Sequence, residues 1–283
     1  MPVRLRAVAL AGLLMGALLA LVLAAPAAWL GALPASWTQG RLIAQQASGT
    51  IWNGQAQLVL GGGPGSRDRL AVPQRLSWRL RPSLGGLSAP AWVLTLQHPT
   101  ILLQAVELRV AIGWGSARVS LRHADGPGPV RAQMPASWLV GLGSPWNTLE
   151  PSGELSIEIE RLESTLQLSG PADSDVVLRV QMRNVASRVS TLAVLGHYDL
   201  DIRGGPELLA RLTSRPGSAL QLEGTGWWSP DGRAGFHGLA TAASGREEAL
   251  SNLLNIIGRR EGARSRIALG SPSPPGGRVA ETK

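Results

Sequence analysis

The chain has 283 residues and carries 27 basic against 19 acidic side chains, a formal net charge of +8. It contains no cysteine, which excludes disulfides, thiol catalysis and thiolate metal sites. The positive balance does not point to nucleic acid, because Lys283 is the only lysine and the arginines are scattered rather than gathered into a patch.

The first predicted element is an uncharged apolar run at residues 7–25, preceded by Arg4 and Arg6. As a helix it would span about 28 Å, close to the hydrocarbon core of a bilayer. The expectation is an uncleaved transmembrane anchor, with residues 1–6 cytoplasmic and the bulk of the chain beyond the membrane. A cleaved signal peptide ending at Ala25-Pro26-Ala27 is the rival reading, and both export the remainder. Residues 26–46 read as a membrane-proximal segment, with Trp29 and Trp37 at headgroup level and Pro34 opening a short helix.

Residues 47–270 read as a β-rich domain. It opens on Ala47-Ser48-Gly49-Thr50-Ile51-Trp52-Asn53-Gly54, where Thr50-Ile51-Trp52 favours a strand and the two glycines permit bends. Short alternating segments follow: Leu76, Trp78 and Leu80; Val106, Leu108, Val110 and Ile112; Leu155, Ile157 and Ile159; Tyr198, Leu200 and Ile202. Period two with one apolar and one polar side describes antiparallel strands packed on one face only. One helix stands out. Ser244 and Glu247 form a capping box, Ala249, Leu250, Leu253, Leu254 and Ile257 fall on one stripe, and Gly258 stops it. That stripe predicts a helix covering the apolar side of a sheet. Residues 271–283, rich in Pro, Gly and Ser, read as a disordered tail.

The fold class expected is mainly β: an N-terminal single transmembrane helix, then one-sided antiparallel sheet with few covering helices. Pro34-Ala35-Ser36-Trp37 recurs as Pro135-Ala136-Ser137-Trp138, and each copy precedes a Trp-Asn pair. This suggests two similar halves with a boundary near residues 125–133.

Motifs for chemistry are lacking. His98, His123, His197 and His237 stand far apart and form no HExxH pattern. Gly61-Gly62-Gly63-Pro64-Gly65 lacks the Gly-Lys-Ser/Thr of a phosphate loop, and no Gly-x-Ser-x-Gly elbow occurs. Glu154, Glu158 and Glu160 share a solvated strand face, as do Asp199 and Asp201. The expectation is no enzyme, no metal and no cofactor.

An ordered set of motifs does carry a resemblance. After the apolar run come Gly49-Thr50-Ile51-Trp52-Asn53-Gly54, Met134-Pro135-Ala136-Ser137-Trp138-Leu139 and Gly143-Ser144-Pro145-Trp146-Asn147-Thr148-Leu149. Pro151-Ser152-Gly153-Glu154-Leu155 and Asn252-Leu253-Leu254-Asn255-Ile256-Ile257-Gly258-Arg259-Arg260 complete it. In this order they resemble protein N of the type II secretion system, over residues 8–270. Loop 61–69 and the tail belong to none of these motifs.

The resemblance implies a single-pass inner-membrane protein, N-terminus cytoplasmic and bulk periplasmic, serving secretion across the outer membrane without catalytic residues. Expected partners are other type II secretion components, and inner-membrane lipid through the anchor, with no nucleic acid. Exposed strand edges and the Trp-bearing turns are the candidate docking surfaces. Their residues are Gly49, Thr50, Trp52, Asn53 and Gly54 in one turn, and Pro135, Trp138, Pro145, Trp146 and Asn147 in the other. Arg259 and Arg260 are a candidate basic contact. The alternative function is a periplasmic β-groove handling lipid or acyl chains along an uncovered apolar face.

Overall fold

A computed structural model describes residues 2–83, 90–167 and 173–271, with the backbone alone for residues 2–11 and Ala32. Two helices come first, α1 (Pro2–Leu23) and α2 (Ala28–Trp37). The strands that follow are β1 (Leu42–Gly49), β2 (Asn53–Gly61), β3 (Arg69–Ser83), β4 (Ala91–Gln97), β5 (Val106–Gly113), β6 (Ser116–His123) and β7 (Val130–Pro135). A 3-10 helix (Ala136–Leu142) and the short α3 (Trp146–Leu149) interrupt them. The strands resume with β8 (Pro151–Gln167), β9 (Asp173–Ser187), β10 (Gly196–Gly204), β11 (Leu208–Ser214), β12 (Leu220–Trp228) and β13 (Ala234–Ala242). Helix α4 (Glu247–Ile257) and the hairpin β14 (Arg259–Glu261) and β15 (Arg264–Gly270) close the described chain.

Among the described residues all fifteen strands lie in one antiparallel sheet. Consecutive strands are neighbours almost throughout; β7 shares one edge of the long β8 with β6, and β15 lies between β13 and β14. Residues directly opposite in an antiparallel ladder share a face, so the register sorts the side chains. One face carries the rows Leu80, Leu94, Leu108, Leu121 and Ile157, Val180, Leu200, Leu212. The other carries Arg79, Thr95, Glu107, Arg122 and Glu158, Arg179, Asp201, Arg211. Ion pairs cross the strands on the polar face, Arg81 to Glu107 at 2.7 Å and Arg179 to Asp201 at 2.8 Å.

The helices cover the apolar face in separate places. Ala27 and Leu30, at the start of α2, pack with Ala44, Ala47, Ala56 and Trp78. Helix α4 buries Leu250, Leu253 and Leu254 against Leu195, Leu220 and Ala240. It begins at Glu247 rather than at a Ser244 cap, because Gly245 has φ +77 and no helix can run through it. Helix α2 likewise starts before Pro34 and contains it. Thr50-Ile51-Trp52 is a turn rather than a strand, closed by the Thr50 N–H donating to the Asn53 carbonyl at 2.9 Å.

Among the described residues no helix is long and apolar enough to cross a membrane, and the expected anchor at 7–25 is corrected on that finding. The far end of the expected span belongs to the β domain. Ala25 and Ala27 are each 1% exposed, Pro26 pairs with Thr50, and the Ile51 N–H donates to the Ala25 carbonyl at 2.9 Å. The single-pass inner-membrane location, the cytoplasmic N-terminus and lipid contact through an anchor fall with it. Of the expected disordered tail, residues 272–283 lie outside the described residues.

Both outer edges of the sheet are guarded. On β1 the Leu42 N–H donates to Thr38 Oγ1 at 2.9 Å and the Gly49 carbonyl accepts from the Ala27 N–H at 3.1 Å. Gly31 of α2 lies so close that a Cβ there would be 3.3 Å from the Ala44 carbonyl oxygen. At the other edge, β14 is three exposed residues carrying Arg259 and Arg260. A short charged edge resists strand addition.

Candidate docking surface

The two Trp-bearing turns differ in what they leave free. In the first, the Trp52 carbonyl accepts from the Leu80 N–H at 2.8 Å, which fixes the turn to β3. Its indole Nε1 donates to the Val22 carbonyl at 2.8 Å, and its ring lies 5.7 Å from that of Trp92. Gly49 has φ +91, and a Cβ on Gly54 would meet the Trp78 ring at 2.5 Å. The Asn53 N–H donates to Thr50 Oγ1 at 3.1 Å. Every residue of the motif is thus spent on closing the turn, seating Trp78, or tying the end of α1 to the sheet.

The second turn is built outward. After the exposed Pro135, the 3-10 helix lies on the apolar face with Ala136 and Gly141 buried and Trp138 half-buried. A Cβ on Gly141 would stand 2.6 Å from Leu70 Cβ and 3.0 Å from Leu60 Cβ, so only glycine lets the backbone approach β2 and β3 this closely. Asn147 Nδ2 donates to Asp68 Oδ2 at 3.0 Å, and the Asp68 N–H donates to Ser66 Oγ at 3.1 Å. The loop that matched no motif is therefore the clamp that holds the motif. Beyond it Ser187 Oγ donates to the Leu149 carbonyl at 2.5 Å. Ser144 and Pro145 are exposed, and Trp146 keeps 37% of its surface in solvent.

The structure does not bring the two turns together. Asn53 faces Arg79 at one end of the β2–β3 hairpin, and Asp68 follows the turn at the other end. Arg259 and Arg260 lie elsewhere, on the β14 edge, where Arg260 Nε donates to the Gly262 carbonyl at 2.7 Å.

The histidines also stay apart. His123 Nε2 bonds Gln104 Oε1, and His197 Nδ1 accepts from the Asn184 N–H at 3.1 Å. Among the described residues no three His, Asp or Glu side chains gather to hold a metal ion.

Sequence reasoning missed a cleft of about 780 Å³ on the polar face, between β2, β3, β4 and the loop before β5. Gln55, Ser77 and Gln97 stand side by side there in register; Gln74, Arg75, His98 and Gln104 add polar wall, and the loop from Pro99 to Ala105 adds an apolar one with Leu102 and Leu103. His98 is 2% exposed, and its Nδ1 accepts from the Ile101 N–H at 3.2 Å and the Thr100 N–H at 3.3 Å. That makes Nε2 the protonated nitrogen, and among the described residues it is buried without a partner. Burial lowers the pKa of the ring, which keeps it neutral. Scattered glutamines gave no signal of this cleft, because only the register assembles them.

Among the described residues the fold is a long open antiparallel meander, with helices on one face and ion-paired side chains on the other. The chain belongs to the type II secretion system (T2SS), protein N family, whose model matches residues 40–268. No curated protein and no solved structure matches it. It is a non-catalytic accessory component of the secretion machinery, and it interacts with other components of that system.

Proposed function

We propose that the chain is an assembly subunit in the periplasm that docks other secretion components through the segment 135–149. The observation that carries this reading is the contrast between the two tryptophan turns. Trp52 is consumed by internal contacts, whereas Trp146 precedes Asn147, whose side chain is tied to Asp68, and keeps 37% of its surface free. A large ring held on a fixed backbone loses little entropy on binding, and Trp is enriched among residues that dominate interface energies. The test is Trp146→Ala in the native cell, measuring secretion and the level of the protein separately. Secretion should fall at constant protein level. Loss of secretion only in proportion to lost protein would assign the turn to packing.

The acyl-carrying alternative is favoured by one feature, the half-buried leucine rows between the helices. The cleft beside Gln55, Ser77 and Gln97 lies on the polar face instead, which weighs for protein docking. Native mass spectrometry of the purified chain separates them: co-purifying acyl lipid would favour the groove, and lipid-free protein the docking subunit.

A further inference from the structure

We infer that the cleft walled by Gln55, Gln74, Arg75, Ser77, Gln97, His98 and Gln104 is a binding site for a short acidic peptide segment. The wall holds no carboxylate, and Arg75 is its only cation. Among the described residues Arg75 forms no ion pair; one Nη2 hydrogen bond goes to Gln46 Oε1 at 3.3 Å, which leaves the charge without a carboxylate partner. The guanidinium is therefore available to an anion in a wall that carries nothing to repel one.

The rest of the lining selects the kind of anion. Gln55, Gln74 and Gln97 offer both amide donors and carbonyl acceptors, the complement of a peptide backbone, and Gln104, whose Oε1 bonds His123, adds its amide donors. Among the described residues the Nε2–H of His98 behind the wall has no partner, a cost that an ordered water would remove. A phosphate presents acceptors alone and draws several cations or backbone N–H groups. One arginine among amides instead suits a single carboxylate with peptide groups on either side. A volume of about 780 Å³ accommodates a few residues. The site lies on the polar face and is independent of the segment 135–149, so either proposal can fail without the other.

The experiment measures retention of the full chain on two bead-bound tetrapeptide pools. They are capped at both ends and randomised, except that one fixes glutamate and the other glutamine at the second position. The chain is strongly cationic, so a charge control is built in: Arg75→Gln removes the cleft cation, and Arg118→Gln removes an exposed arginine on β6 outside the cleft wall. Retention on the glutamate pool should exceed the glutamine pool at least tenfold, fall at least fivefold in R75Q, and stay within twofold in R118Q. Melting temperatures of the variants should match the parent. Equal retention on the two pools, equal loss in both variants, or no loss in R75Q would each overturn the assignment. So would inorganic phosphate that elutes the chain at lower concentration than acetylated glutamate amide, since that marks a free-anion site.

Discussion

Leu253→Asp tests whether α4 is the lid of the C-terminal end of the sheet. Leu253 is 2% exposed and is flanked by Leu250 and Leu254 at 0% and 1%, all packed on Leu195, Leu220 and Ala240. Truncating such a leucine costs about 2–5 kcal/mol through lost burial and the cavity left behind. An aspartate adds the cost of burying a polar group without a partner, so the expected loss is about 4 kcal/mol or more. In a domain of this size each kcal/mol moves the melting temperature by about 2–4 °C, giving a drop of about 10 °C or more. Circular dichroism melting reads it directly. Ile256→Asp is the control, because Ile256 sits on the same helix with 43% of its surface in solvent and should cost less than about 1 kcal/mol. If the two variants melt alike, α4 does not cover a core, and its apolar stripe faces something outside the chain.

Trp52→Ala should lower the melting temperature and the cellular level together, by about 3 kcal/mol, because it removes the contacts with Trp92 and Val22. Trp146→Ala should lower secretion at normal abundance, and a matching fall in stability would refute the proposed docking role. Gly141→Ala should destabilise by about 1–3 kcal/mol through the clash with Leu70 and Leu60, read by urea unfolding. Tyr198 is the only tyrosine of the chain, its hydroxyl donates to the Leu220 carbonyl at 2.9 Å, and burial raises its pKa above the ordinary phenol value. The neutral form is thus favoured in the folded state, so its contribution is full below the ordinary value and declines as pH rises past it. Tyrosinate absorbance should appear only as the chain unfolds at alkaline pH; ionisation preceding unfolding would contradict the buried phenol.

Period-two patterning made the strands readable wherever one face is apolar, as at Leu108 to Ile112 in β5 or Leu155 to Ile159 in β8. The α4 stripe was equally legible, since Leu250, Leu253 and Leu254 recur at helical spacing. Local signals failed where a distant segment competes. Thr50-Ile51-Trp52 has strand propensity, but the Ala25–Ala27 stretch and Leu80 capture its backbone groups and make it a turn. Ser244 fits a cap by sequence, yet the left-handed Gly245 moves the helix start beyond it. The recurring Pro-Ala-Ser-Trp tetrapeptide ends α2 in one copy and opens a 3-10 helix in the other, so identical letters do not fix a local structure. The clamp on Asn147 was invisible because Asp68 lies in a loop without a motif.

The guarded edges change where a partner can bind. Strand edges were an expected docking surface, and the sheet of the described residues has two, β1 and β14. Adding a strand to β1 requires its outward backbone groups, but Leu42 and Gly49 already bond Thr38 and Ala27, and α2 lies against Ala44. Displacing α2 would uncover Ala27, Ala56 and Trp78 and leave a helix without its packing. At the far edge, β14 offers three residues, too few for a ladder, with two arginines that keep their charge in water. Main-chain pairing is therefore expensive at both ends, and recognition falls to side chains. Thr38→Val tests this step. It removes the hydroxyl that bonds the Leu42 N–H and C=O, while keeping the shape of the side chain. Amide exchange at Leu42 should accelerate, and the chain should begin to self-associate through the opened edge. If exchange at Leu42 is unchanged, the helix alone guards β1 and the hydroxyl contributes nothing.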